Sequence, residues 1–173
     1  MPRYVITGGL GTGKTSLIAA LGLTFETVAE PARELIAEHR AEAGQQSLDD
    51  RPELFVERLI SRSLEKYSAA KESTLTFFDR GLPDCVAYAA VFGLDVTPAM
   101  EAASSHRYRS PVFVASPWKA IYTTDDMRNA TFAQAEKFYR EVVAAYEDLG
   151  YDLLELPRAS VADRAAFVMA RIG

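Results

Sequence analysis

Eight consecutive residues restrict this chain more than anything else in it. Gly8-Gly9-Leu10-Gly11-Thr12-Gly13-Lys14-Thr15 fills the pattern G-x-x-x-x-G-K-[ST] and directly follows the apolar, β-prone run Tyr4-Val5-Ile6-Thr7. Glycines let a loop bring successive backbone N–H groups up to phosphate oxygens, because no Cβ blocks the approach. Such a loop needs a strand before it and a helix after it, and Ser16-Leu17-Ile18-Ala19-Ala20-Leu21 is a helix-compatible apolar segment. The expected ligand is a nucleoside triphosphate with Mg²⁺. Gly9, Gly11, Thr12, Gly13, Lys14, Thr15 and Ser16 form the expected nucleotide-binding set. Lys14 would reach the β- and γ-phosphates, the Thr15 hydroxyl would ligate Mg²⁺, and the helix N-terminus would add its dipole.

Apolar, β-prone runs recur at Tyr4–Thr7, Phe25–Ala29, Leu75–Phe78, Pro111–Val114 and Asp152–Leu156, with gaps long enough for helices. Strands separated by helices predict a parallel sheet. The runs are continuous in apolar character instead of alternating, as expected when helices cover both faces. The prediction is a three-layer α/β domain spanning residues 1–173, a length suited to one domain, with 49% apolar residues to fill its core.

Helix signals divide the chain the same way. Leu35 and Ile36 begin a stripe after Pro31 that ends near Gly44, and Pro52 opens a helix with Val56, Ile60, Leu64 and Tyr67 as its inward face. Thr131 and Gln134 read as a capping box ahead of inward Ala135, Tyr139, Val142, Tyr146 and Leu149, with Gly150 as the stop. Ser160 and Asp163 read as a second box before inward Val161, Ala165, Val168 and Ile172. Gly44–Arg51, Ala103–Arg109 and Trp118–Ala130 read as irregular.

A formal net charge of −5 argues against a protein that grips nucleic acid by a basic surface. The single cysteine, Cys85, excludes an intrachain disulfide framework, and with His39 and His106 as the only histidines a zinc site is not expected. No run approaches the eighteen or so apolar residues of a membrane span, and Met1 leads into the first strand without a signal segment. These features predict a cytoplasmic protein without membrane or nucleic-acid partners.

Acids stand where strands end. Asp79 follows Leu75-Thr76-Phe77-Phe78, a position from which a carboxylate can hold Mg²⁺ or orient an attacking group, or simply close a turn. Arg80 beside it suits an anionic or polyhydroxyl substrate, or a structural ion pair. Glu30 closes the second run and reads as a proton acceptor, a holder of magnesium-bound water, or the cap of the helix after Pro31. Arg33 in that helix's first turn opposes the helix dipole, so it is expected to serve a ligand or Glu30. Residues 118–130 mix acids and bases without an apolar period, which fits either a lid carrying Arg128 or a solvated connection. Arg107 and Arg109 are further cations in a polar stretch.

The phosphate loop, Asp79-Arg80-Gly81-Leu82-Pro83-Asp84, Thr124-Asp125-Asp126-Met127-Arg128 and Leu156-Pro157-Arg158-Ala159-Ser160-Val161 together resemble a family of small bacterial AAA-type ATPases. That family is similar to the nicotinamide riboside kinase domains of bacterial NAD-biosynthesis regulators, and the resemblance covers nearly the whole chain. It implies the fold of P-loop nucleoside and nucleotide kinases, a five-stranded parallel sheet in the order 2-3-1-4-5. Glu30-Pro31 and Asp79-Arg80 also resemble the strand-end acids of deoxynucleoside kinases. The resemblance implies that Lys14 and Thr15 hold phosphate and Mg²⁺, that Asp79 or Glu30 lies near the acceptor hydroxyl, and that Arg128 is a lid arginine. It also implies that Pro157, Ser160 and Val161 lie near the adenine. The arginine finger, sensor region and helical lid domain of oligomeric AAA motors have no counterpart in the sequence.

The function expected is transfer of the γ-phosphoryl of ATP to a hydroxyl of a small, nucleoside-like metabolite. Lys14, Asp79, Glu30 and Arg128 are the catalytic candidates, Thr15 and Asp79 the metal ligands, and Glu30, Arg33, Asp79 and Arg80 the acceptor contacts. The alternative is a regulatory ATPase or nucleotide-dependent switch that has no small-molecule acceptor.

Overall fold

The computed structural model describes residues 2–43, 51–122 and 130–172. Its elements run β1 (Arg3–Gly8), α1 (Lys14–Leu21), β2 (Glu26–Val28), α2 (Pro31–Ala43), α3 (Pro52–Ala69), β3 (Thr76–Asp79), α4 (Leu82–Val91), α5 (Thr97–Ser105), β4 (Val112–Ala115), α6 (Phe132–Asp148), β5 (Leu153–Glu155) and α7 (Val161–Met169). The strands form one parallel sheet in the order β2-β3-β1-β4-β5, as the resemblance implied.

The period of two along each strand sorts its side chains between the layers. Val5, Phe78, Val112 and Val114 turn to the face covered by α2 through α6. Tyr4, Ile6, Phe77, Phe113 and Ala115 turn to the other face, packing with Leu17, Ile18 and Leu21 of α1 and Val168 of α7. Both faces are buried, which is why the strand sequences read as unbroken apolar runs.

Several helix expectations shift by a face or a turn. In α3 the deeply buried residues are Phe55, Val56, Leu59 and Ser63, while Ile60, Leu64 and Tyr67 are only partly covered. Phe55 sets that rotation, meeting the rings of Tyr88 and Phe92 at 5.5 and 6.1 Å. Ala103–Ser105, expected to be irregular, are the last turn of α5, with Ala103 fully buried. Val161, expected to face inward, is 38% exposed; the inward positions of α7 are Arg164 and Val168, one helical turn apart. The capping box at Thr131 forms in full, whereas at Ser160 only the N-cap half forms, the Ser160 hydroxyl itself donating to Asp163 Oδ2 at 2.6 Å. Thr131 Oγ1 accepts from the Gln134 N–H while Gln134 Oε1 accepts from the Thr131 N–H, and Ser160 Oγ accepts from the Asp163 N–H. The irregular stretch expected at Gly44–Arg51 lies outside the described residues except for Arg51. No helix among the described residues is long and apolar enough to cross a membrane.

Candidate functional site

The turn between β1 and α1 depends on positive φ at Gly8, Gly11 and Gly13, 128°, 63° and 75°. Gly8 pairs with Ala115 across the sheet, and a Cβ on it would stand 2.1 Å from the Ala115 carbonyl oxygen. That carbonyl already accepts the Gly9 N–H at 3.0 Å. The end of β4 therefore braces the start of the loop. Lys14, 6% exposed, folds its ammonium over the loop and donates to Gly9 O at 2.5 Å and to Thr12 Oγ1 at 3.3 Å.

Asp79 is the last residue of β3 and pairs with Ile6, so it emerges at the same sheet edge as the glycine loop. Thr15, in the first turn of α1, turns its hydroxyl toward it, with Oγ1 3.5 Å from Asp79 Oδ2. The sheet thus brings together the two residues expected from sequence to hold a metal. Both offer hard oxygen donors of the kind Mg²⁺ takes, so the donor set fits that ion. Among the described residues no three His, Cys, Asp or Glu side chains converge on a common point.

Beyond the end of β2, Glu30 is buried and bridges two arginines. Its Oε1 accepts from Arg80 Nε at 2.8 Å, and its Oε2 from Arg33 Nε at 3.3 Å. Arg33 is a third exposed and reaches the cleft; Arg80 is wholly buried. Arg80 sits at φ 71°, a left-handed conformation that is rare outside glycine, and its guanidinium lies 5.0 Å from the Phe138 ring centroid. Its Nη1 donates to Gly8 O at 2.9 Å and to Asp84 Oδ1 at 2.8 Å. One side chain thereby ties the end of β3 to the glycine loop, to Glu30 and to α4. Burial opposes the charge on Arg80, but Glu30 and Asp84 outweigh it and hold its pKa well above the ordinary value. Arg80 is therefore an ion-pair residue, the structural alternative left open by the sequence.

Asp84, not singled out as a site residue, is the hub of this network. Its Oδ1 accepts from Thr7 Oγ1 at 2.6 Å and from Arg80, and its Oδ2 accepts from the Tyr146 hydroxyl at 2.7 Å and from the Gly81 N–H at 2.9 Å. Four donors leave this buried carboxylate fully satisfied. The sequence held one clue, an acid three residues after Gly81 at the start of a helix.

Leu10, Gly11, Thr12, Gly13, Lys14, Thr15, Glu30, Arg33, Ile121, Tyr122 and Ala130 line a 230 Å³ cleft. Part of the expected lid region thus borders the phosphate loop, whereas Arg128 lies outside the described residues. Ser16 is exposed beside Thr15 on α1. Of the expected adenine-side residues, Ser160 caps α7, Val161 is exposed and Pro157 is half-buried. Their stretch is tied to the loop after β4 by Arg158 Nη2, which donates to Pro117 O at 3.1 Å. Arg164 of α7, also missed from sequence, donates from Nη1 to Thr12 O at 2.8 Å. Arg107 and Arg109 stand at the opposite sheet edge, where Arg109 N–H donates to Arg3 O at the start of β1.

The profile of a family described as AAA domain matches residues 3–164. No curated protein matches the chain. Among solved structures, the NadR protein in complex with NR superposes with a TM-score of 0.73 at 16% identity, covering 98% of this chain and 50% of that one. The chain thus spans half the length of the NadR chain. Deoxyadenosine kinase from M. mycoides with bound dATP gives 0.73 at 13% identity, covering 99% and 98%. Thymidylate kinase from Candida albicans gives 0.67 at 10% identity, covering 98% and 89%. At these identities the likeness is one of fold, that of the P-loop nucleoside and nucleotide kinases.

Proposed function

The chain belongs to the AAA domain family, and from that membership we propose that it is a phosphotransferase moving the γ-phosphoryl of ATP to a hydroxyl of a small, nucleoside-like metabolite. The observation that carries this reading is the pairing of the Thr15 hydroxyl with Asp79 at 3.5 Å, with the carboxylate Glu30 lining the cleft that Thr15 also lines. A metal-side oxygen pair and a separate carboxylate near an acceptor are what phosphoryl transfer to a hydroxyl requires. The kinase fold supports the same reading.

Thr15 and Asp79 would hold Mg²⁺, which when bound neutralises charge developing on the phosphoryl oxygens. Lys14 would exchange its contact with Gly9 O for the β- and γ-phosphates. Glu30 would accept a hydrogen bond from the acceptor hydroxyl and take its proton. Arg33, partly exposed at the rim, would orient the acceptor. In this reading Asp79 serves the metal side and Glu30 the acceptor side.

Thermal-shift screening of hydroxyl metabolites with Mg²⁺ and a non-hydrolysable ATP analogue tests this reading, because a true acceptor adds its own stabilisation. Transfer from labelled ATP to the hit should follow, and Lys14→Ala should abolish it while leaving the unfolding midpoint nearly unchanged. Lys14→Ala with wild-type turnover would overturn the site. ATP hydrolysis indifferent to every hydroxyl compound, with partner binding that changes between ATP and ADP, would point instead to a nucleotide switch.

A further inference from the structure

We propose that Arg164 places a buried positive charge directly behind the phosphate loop, a charge matched only when a polyphosphate occupies that loop, so that it favours triphosphate over less charged nucleotides. This rests on the reading of Gly8–Thr15 as an ATP site.

Two buried arginines in this protein have opposite surroundings. Arg80 is clasped by two carboxylates at 2.8 Å each. Arg164 is 3% exposed, yet makes no ion pair among the described residues, and its Nε has no hydrogen-bond partner. Among the described residues its side chain makes one hydrogen bond, from Nη1 to Thr12 O at 2.8 Å. Burial pushes its pKa down, the direction expected of a cation that lacks a counter-ion. Buried charges without partners are costly, and protein interiors ordinarily exclude or pair them.

The location supplies the missing partner. Arg164 Nη1 lies 3.1 Å from the point where a Cβ on Gly13 would sit, so the guanidinium presses against the Thr12–Gly13 peptide. That peptide turns its carbonyl toward Arg164, and its N–H belongs to the loop that faces the 230 Å³ cleft. A cation on the carbonyl polarises the amide and makes the N–H a stronger donor to an anion. In a low-dielectric site the charge itself also attracts a polyphosphate through the thickness of one loop. A solvated or ornamental arginine on α7 would lie on the outer face; this one shares the inner face with Val168.

Two variants separate charge from packing. Arg164→Gln keeps a donor for Thr12 O without the charge, and Arg164→Lys keeps the charge without the planar fork. Affinities for the Mg²⁺ complex of a non-hydrolysable ATP analogue and for AMP are measured by calorimetry, with unfolding midpoints recorded in the absence of nucleotide. Arg164→Gln should bind the ATP analogue about tenfold or more weakly, lose distinctly less affinity for AMP, and unfold no more easily than wild type. Arg164→Lys should recover a substantial part of the ATP affinity. Equal binding by the two variants, equal losses for AMP and the ATP analogue, or a lowered midpoint with unchanged affinity would each overturn the proposal. A wild-type protein that failed to bind the ATP analogue would instead remove the nucleotide-site reading itself.

Discussion

Arg80 and Glu30, fifty positions apart in the chain, face each other at 2.8 Å with side chains that are 2% and 3% exposed. The pair joins β3 to the end of β2, and Asp84 completes it from α4. The arginine serves two carboxylates, so the consequences of deleting the members are unequal.

Arg80→Met should destabilise the fold by about 3–5 kcal/mol, because it strands two buried carboxylates. Glu30→Gln leaves Arg80 paired with Asp84 and keeps an acceptor oxygen, so its cost should be about 1–3 kcal/mol, while phosphoryl transfer is lost. Urea unfolding of the two variants at neutral pH checks the order; a costlier Glu30→Gln would contradict it.

Alkaline pH should loosen the core through its tyrosines. Burial, the largest influence, pushes the hydroxyls of Tyr108 and Tyr146 well above the ordinary 10.0, and nearby Asp84 raises Tyr146 further. The folded chain keeps these protons after the unfolded chain has released them. Their contribution is therefore complete below about pH 10 and is lost as the pH rises through the raised folded values. Urea midpoints should fall from about pH 10 upward, and Tyr146→Phe should flatten that slope while lowering stability at neutral pH by about 1–3 kcal/mol through the lost Asp84 contact.

Cys85 offers a reporter of opening. It is 1% exposed on α4, 3.6 Å from Ser63 Oγ, and burial pushes its thiol up to about 12. Native protein at mildly alkaline pH should resist iodoacetamide, and labelling should track unfolding as denaturant is added. Rapid labelling of the folded protein would show that α3 and α4 separate more easily than their packing indicates.

Two glycines with positive φ should respond very differently to alanine. At Gly150, φ 73°, nothing lies within 4 Å of an added Cβ, so Gly150→Ala should cost only the left-handed conformation, about 1–2 kcal/mol. At Gly8 the added atom would overlap Ala115 O, and Gly8→Ala should exceed about 4 kcal/mol or fail to fold. Expression level and unfolding midpoints distinguish the two.

What could be read in advance depended on the range of the interaction. The strands, the glycine loop and the two capped helices are written in short patterns, and all appear where Tyr4–Thr7, Gly8–Thr15, Thr131 and Ser160 indicated. Thr15 and Asp79 were also anticipated, because a parallel sheet brings strand ends to one edge. The Asp84 hub was not, since its partners Thr7 and Tyr146 lie 77 and 62 positions away. Arg164 meets Thr12 across 152 positions. Its only local trace is a charge on the face shared with Val168, the kind of mismatch between residue type and apolar stripe that marks a position with work beyond packing.

The close seating of Gly8 against Ala115 also bears on how such a protein can change over generations. Backbone packed against backbone admits no graded alteration, so the phosphate end of the cleft is closed to gradual mutation. Leu10, Arg33, Ile121 and Tyr122 line the nearby cleft, and their side chains can vary without moving that seam. Descendants of this chain that take different acceptors would differ there, and directed evolution for a new acceptor is best confined to those four codons.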